Sequence, residues 1–219
     1  MNRNDVKNAY AKWSKTYDED HSSDMSHEIT AVEEIVVNSL LRNIEFNDVL
    51  DTASGTGRYA LRLAEDGKKV TATDQSIEML KKAEEKAEET GLKIDFREEG
   101  LAEIKSADAS FDLVLCMLAL AHVKEIDQPC RELVRVLRPG GFLIISDIHP
   151  NIQAAWGPDY KLHLHGDEIP FPQYHGSIND YIDAVTSAGA QVQAVIDVPM
   201  QQQLGLLPGP FVLLARRPE

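Results

Sequence analysis

The chain has 219 residues, with 22 Lys and Arg against 36 Asp and Glu, for a formal net charge of −14. That length holds one α/β domain and is short for two, and 43% apolar with 26% charged residues excludes wholesale disorder. The carboxylate excess argues against a nucleic-acid partner; the longest apolar run, nine residues from Leu113 to Ala121, is about half of what a bilayer crossing needs.

In chain order, a helix over residues 4–20 carries Tyr10, Trp13 and Tyr17. A second starts at Ser26 as N-cap, with Ile29, Val32, Val36 and Leu40 at helical spacing. Residues 47–52 read as a short buried strand that runs into the small-residue loop Ala53-Ser54-Gly55-Thr56-Gly57. The helix after it has Ala60, Leu61 and Ala64 on its apolar side and ends near Gly67. The unit then repeats: a strand from Lys69 ends at Asp74, Ser76 caps a helix through Leu80, Ala83 and Ala87, and Gly91 stops it. A strand from Leu92 to Arg97 leads to the loop Gly100-Leu101-Ala102. The strand Phe111 to Cys116 is nearly all apolar, as expected when both faces are covered.

Asp127 caps the next helix, with Pro129 in its first turn. Cys130, Leu133, Val134 and Leu137 fall at i, i+3, i+4 and i+7, which makes Cys130 core. Neither Cys116 nor Cys130 has disulfide or metal-ligand spacing. Pro139-Gly140-Gly141 breaks that helix before an apolar strand, Phe142 to Asp147. Residues 148–176, rich in Pro, His and aromatics, follow no period. Ser177 and Asp180, spaced as a capping box, open a helix that ends at Gly189. Strands at about 190–198 and 210–217 flank MQQQLGLLPGP, read as a turn or loop. Alternating strands and helices on this scale predict a parallel, doubly wound sheet. The opening residues lack a secretory apolar stretch, so a cytoplasmic globular protein is expected.

A glycine loop between strand and helix lets a ligand approach the backbone, and the helix N-terminus offers unpaired N–H groups. One strand later, Asp74 sits where a carboxylate can accept both hydroxyls of a ribose. Gly55, Gly57 and Ala60 also satisfy the dinucleotide spacing G-x-G-x-x-A. Asp51 separates the two readings. At a strand end four residues before Gly55, its carboxylate repels a pyrophosphate and suits an ammonium or a sulfonium.

VLDTASGTGRYALRLA resembles the first motif of class I S-adenosylmethionine-dependent methyltransferases, and VTATDQSIEML the second. FDLVLCMLALAHV and ELVRVLRPGGFLIISD resemble their fourth strand and the helix–Pro-Gly-Gly–strand unit. The likeness covers residues 45–148 in order and spacing. It implies a seven-stranded sheet with the last strand antiparallel, and N-terminal lid helices over residues 1–44. It also implies an acceptor-side insertion at 149–176 and a closing helix with strands at 177–219, all in one domain. The cofactor implied is S-adenosyl-L-methionine. Asp51, Ala53, Gly55 and Gly57 would form its loop, and Asp74, Gln75 and Met79 the ribose and adenine side. Leu101 and Ala102 would lie against the base, Cys116 would offer its backbone carbonyl, and Tyr17 would belong to the lid. Two positions depart from the family pattern. Ala53 stands where the first loop glycine is usual, and Leu101 where an acid often follows the glycine before the adenine site.

The expected reaction is methyl transfer to a small-molecule acceptor by direct displacement, without nucleic acid, membrane or metal. Trp156, Tyr160, Tyr174 and His175 are the expected acceptor wall, and His149 the candidate base. His122, just past the fourth strand, reads better as a residue orienting that turn than as a participant. The alternatives are an NAD(P)-dependent oxidoreductase, which lacks a Tyr-x-x-x-Lys dyad here, and a non-catalytic S-adenosylmethionine-binding protein.

Overall fold

The computed structural model describes residues 3–20, 24–152, 161–164, 167–170, 174, 176–202 and 205–219. Three helices open it: α1 (Arg3–Trp13), α2 (Tyr17–Asp20) and α3 (Asp24–Leu41). The alternating part follows as β1 (Asp48–Thr52), α4 (Arg58–Glu65), β2 (Lys69–Asp74), α5 (Ile77–Thr90), β3 (Ile94–Glu98) and β4 (Phe111–Met117). A 3-10 turn at Leu120–His122, α6 (Asp127–Val136) and β5 (Leu137–Ile148) complete it. Then come β6 (Lys161–Leu164), β7 (Asp167–Pro170), α7 (Ile178–Ser187), β8 (Gln191–Gln202) and β9 (Gly205–Arg216).

Seven strands form one sheet in the order β3-β2-β1-β4-β5-β9-β8. The first five are parallel, and β9 runs antiparallel to β5, as the resemblance implied. The central strands are apolar on both faces because each face is covered. Leu50, Val114, Leu143 and Leu213 pack on one side with α6 and α7, and Val49, Leu113, Ile144 and Val212 on the other with α3 and α4. The strand order reverses between β1 and β4, so their carboxyl ends splay apart and leave a crevice. No helix among the described residues is long and apolar enough to cross a membrane.

The local signals act as read at several helix ends. The Ser76 hydroxyl accepts the Met79 N–H, Gly91 closes α5 with φ 69°, and Ser177 and Asp180 form the capping box of α7. Four readings are corrected. Helix α3 starts at Asp24, which puts Ser26 in its first turn, and Asp127 is the first residue of α6 rather than its cap. The periodless insertion contains an antiparallel ribbon, β6 with β7. Within the stretch read as a turn, residues 200–202 and 205–210 continue the two closing strands, with Pro199 opposite Pro208 and Met200 opposite Leu207. Its Pro and Gly content is absorbed by an irregular register between Asp197 and Pro199 and by one close approach. A Cβ at Gly209 would collide with the Val198 carbonyl oxygen. Because Ile148 at the end of β5 pairs with Pro210, the β8–β9 hairpin runs on past the end of its neighbour.

Candidate functional site

Strand β1 ends by carrying Asp51 into the crevice. Its side chain is buried, and Oδ2 accepts the Ala60 N–H at 3.0 Å. Burial lifts its pKa to about 7, opposed by the Arg58 guanidinium and the Ala60 bond. The chain then turns through Ala53 (φ 50°) and Gly55 (φ 56°), both left-handed. Ala53 thus adopts the conformation the usual glycine would take, at a cost of about 1–2 kcal/mol. A Cβ at Gly55 would meet nothing within 4 Å, so this stretch of backbone borders open space. Buried Ser54 Oγ has no hydrogen-bond partner.

Strand β2 delivers Asp74 in the same way. Its two oxygens accept the Gly55 N–H (2.9 Å) and the Ser76 N–H (2.8 Å), which ties the glycine loop to the next helix cap. Burial raises its pKa, and the backbone bonds oppose that. A carboxylate has about four lone-pair sites, more than these backbone bonds take.

Two cavities meet over this loop. One, of about 410 Å³, runs from Asp74, Gln75 and Met79 to Leu101 and Ala102 and on to Tyr10, His122 and Tyr174. The other, of about 350 Å³, holds Asp51, Ser54, Thr56, Arg58 and Lys86. Tyr17, Ala53, Gly55, Met117 and Leu118 line both and mark the junction. Leu118 also has positive φ, at 53°, and its N–H reaches the Ser146 carbonyl of β5 at 2.9 Å. Two strained strand exits, Ala53 after β1 and Leu118 after β4, therefore border the junction.

Among the sequence-predicted site residues, Tyr17, Asp51, Ala53, Gly55, Asp74, Gln75, Met79, Leu101, Ala102 and Tyr174 line one or both cavities. Gly57 and Cys116 line neither. Gly57 has φ 86° at the start of α4, and a Cβ there would lie 2.9 Å from Ala83 Cβ, so it serves helix packing. Cys116 is wholly buried within β4, which runs one residue further before turning, and the lining passes to Met117 and Leu118. His149 also lies apart from both. Its Nδ1 accepts the Asn151 N–H, and Nε2 stands 3.7 Å from Asp197 on β8. It belongs to the foot of the closing hairpin rather than to the crevice. Trp156, Tyr160 and His175 lie outside the described residues.

Two residues and one pairing escaped the sequence reading. Glu33 is fully buried on α3, where it takes the Tyr59 hydroxyl (3.1 Å), the Ser146 hydroxyl and the Arg58 guanidinium (2.6 Å). The signal was present in outline: Ile29, Glu33 and Val37 lie four apart, and all three are buried. Asp147 ends in the core below the β4 exit and accepts the Ala121 N–H (2.6 Å), the Ile148 N–H and the Tyr181 hydroxyl. Burial lifts its pKa to about 7 as well. Tyr10 and His122 meet across 112 residues, Oη to Nε2 at 3.2 Å, a pairing that no local pattern announces.

S-adenosylmethionine presents an ammonium, a ribose diol and a flat base. The donors here fit that set: buried Asp51 in one cavity, Asp74 in the other, an open Gly55 backbone between them, and Leu101 with Ala102 for the base. Residues 50–145 match the family described as Methyltransferase domain. A demethylmenaquinone methyltransferase of Thermus thermophilus is 34% identical over 118 residues, which cover 53% of this chain and 54% of that protein. A ubiquinone biosynthesis O-methyltransferase of Rickettsia conorii is 32% identical over 131 residues, 60% of this chain and 44% of that one. The chain thus spans about half the length of these relatives. Among solved structures, an S-adenosylmethionine-dependent methyltransferase of Methanosarcina mazei superposes with a TM-score of 0.70 at 20% identity, covering 82% of this chain and 97% of that one. Four motifs in family order, a cradle that fits the cofactor, the domain match over residues 50–145 and the shared fold make the chain similar to the class I S-adenosylmethionine-dependent methyltransferases.

Proposed function

We propose that the protein transfers the methyl group of S-adenosylmethionine to a small-molecule acceptor. One observation carries this reading. Two carboxylates at adjacent strand ends face two cavities that join over an open glycine backbone, one placed for a diol and the other for a positively charged tail. When bound, the cofactor supplies a methyl group on a sulfonium, already a good leaving group. The residues therefore align and desolvate rather than activate, a contribution of up to about 7–11 kcal/mol when geometry is ideal.

Asp74 would take the ribose hydroxyls, Asp51 the ammonium, and Gln75, Met79, Leu101 and Ala102 the adenine. Tyr17 would cover the junction from above, with Met117 and Leu118 beneath it. A pyrophosphate in the Asp51 cavity would face a carboxylate, which disfavours a dinucleotide. Two relatives are named for quinone pathways, and a flat hydroxylated ring of that kind suits the aromatic end of the larger cavity, near Tyr10 and Tyr174.

The test is calorimetric titration with S-adenosylhomocysteine and with NADH, followed by transfer of labelled methyl from S-adenosylmethionine into a metabolite pool. Binding of the first and a labelled small molecule are expected. NADH binding without S-adenosylhomocysteine binding would reverse the assignment.

A further inference from the structure

The aromatic end of the larger cavity contains a pair that cofactor binding does not require. Tyr10 on α1 and His122 at the exit of β4 both line it, with Oη and Nε2 3.2 Å apart and the rings edge to face at 5.9 Å. Tyr17 of the junction lies 6.3 Å from the Tyr10 ring, so the pair stands about one ring away from where the two cavities join.

The imidazole is held from below. The Ala121 N–H donates to the Asp147 carboxylate at 2.6 Å, and the Ala121 carbonyl accepts the Tyr174 N–H at 2.9 Å. Both backbone groups of the residue before His122 are thereby fixed, which sets where the ring can point. The Tyr10 hydroxyl is equally fixed, because its ring packs against Trp13 and Tyr17. Burial raises the Tyr10 pKa well above its ordinary value, so this hydroxyl keeps its proton, and in the His122 tautomer with Nε2 unprotonated it donates to that nitrogen.

Resting on the methyl-transfer reading, we propose that Tyr10 and His122 form a proton relay for an acceptor that attacks through the oxygen of a phenol or enol. The acceptor O–H proton passes to Tyr10 Oη as the Tyr10 proton passes to His122 Nε2, leaving an imidazolium. The oxygen lone pair forms the new O–C bond while the C–S pair stays on sulfur. The positive charge lost by the sulfonium is the charge gained by the imidazole, which then gives its proton to water.

The acceptor class follows from proton affinities. A phenol titrates near 10 and imidazole near 6.5, a gap that transfer concerted with attack can bridge. An alkanol is far too basic for imidazole, a thiol ionises with less help, and a neutral amine attacks with its own lone pair. Several titratable groups face the imidazole. Tyr17, Asp74, Glu99 and Tyr174 share the cavity, the strand exit itself adds Lys124 and Glu125, and Asp147 lies beneath the turn.

The experiment supplies methyl-labelled S-adenosylmethionine with catechol, 4-hydroxybenzoate and 1,4-dihydroxynaphthalene as probes, beside S-adenosylhomocysteine titrations of each variant. A methyl ether is expected from at least one probe. His122→Gln keeps an acceptor for the Tyr10 hydroxyl but cannot take up a proton. It should lower kcat at least 100-fold, with S-adenosylhomocysteine affinity within threefold of wild type. Tyr10→Phe keeps the ring packing and should lower kcat about tenfold while displacing the acidic limb of the pH profile. In the S-adenosylhomocysteine complex, the His122 ring resonances should titrate at a different pH in Tyr10→Phe, which reads the coupling without turnover. Wild-type turnover in His122→Gln, an unmoved His122 titration, or cofactor binding with no methyl ether from any probe would overturn the relay. Absence of S-adenosylhomocysteine binding would instead overturn the methyl-transfer reading beneath it.

Discussion

Asp51 is buried at the end of β1, where it accepts the Ala60 N–H, and its pKa of about 7 follows from that burial. An ammonium placed beside it favours the ionised form. Below pH 7, then, binding S-adenosylhomocysteine should release a proton, and affinity should rise as pH climbs through about 7. Calorimetry in buffers of different ionisation enthalpy measures both, and Asp51→Asn should bind more weakly with a flat pH profile. Stability without cofactor has the opposite slope. Between about pH 4 and 7 the folded protein keeps a proton on Asp51 that the unfolded chain has lost, so stability falls as pH rises across that window. Thermal melts should place Tm higher at pH 5.5 than at pH 8, with a smaller difference in Asp51→Asn. Asp51 and Asp74 were legible because an acid at a buried strand end is conspicuous. Leu118 was not, since nothing in a leucine announces a left-handed backbone. That conformation is imposed by the bond from its N–H to the Ser146 carbonyl across the sheet.

At the scale of elements, one glycine joins two helices. Gly57 opens α4 in a left-handed conformation, and the Ala83 methyl of α5 sits where a side chain would go. Gly57→Ala should therefore cost about 2–4 kcal/mol, combining left-handed strain with overpacking, as read by chemical denaturation. The sequence reading assigned this glycine to the ligand because loop spacing alone does not distinguish a residue facing a cofactor from one facing a helix. The same blindness hid the true length of β8 and β9. Pro199, Pro208 and Gly209 look like a turn, yet the two prolines face each other in one antiparallel ladder. The β1 to β5 core was easier to read because continuous apolar runs bounded by glycine and acid leave few other solutions.

Across the whole molecule, α1 and α2 meet the body through buried Val6 and Trp13 and through polar contacts at its surface. Lys7 pairs with Glu98, and Asp18 bridges the Thr56 hydroxyl and Lys86, both at 2.7 Å. Pairs this exposed contribute roughly 0–1 kcal/mol each and weaken with salt. The ion pairs thus add little energy to the apolar and ring contacts that hold the segment carrying Tyr17 over the junction. Asp18→Ala should speed S-adenosylhomocysteine release about fivefold in stopped-flow displacement, with Tm nearly unchanged, and added salt should narrow the difference between variant and wild type. By contrast, α3 is anchored from beneath by Glu33, so the part of the N-terminal region that opens should stop short of it.

The β8–β9 hairpin, which outruns β5, divides one ladder into two grades of protection against hydrogen exchange. Residues 211–215 of β9 lie between two partner strands, whereas residues 206–208 pair, among the described residues, with β8 alone. Amides of the first group should exchange only with opening of the whole sheet. Those of the second should exchange as fast as the hairpin frays, so deuterium uptake along β9 should change rate near Pro210.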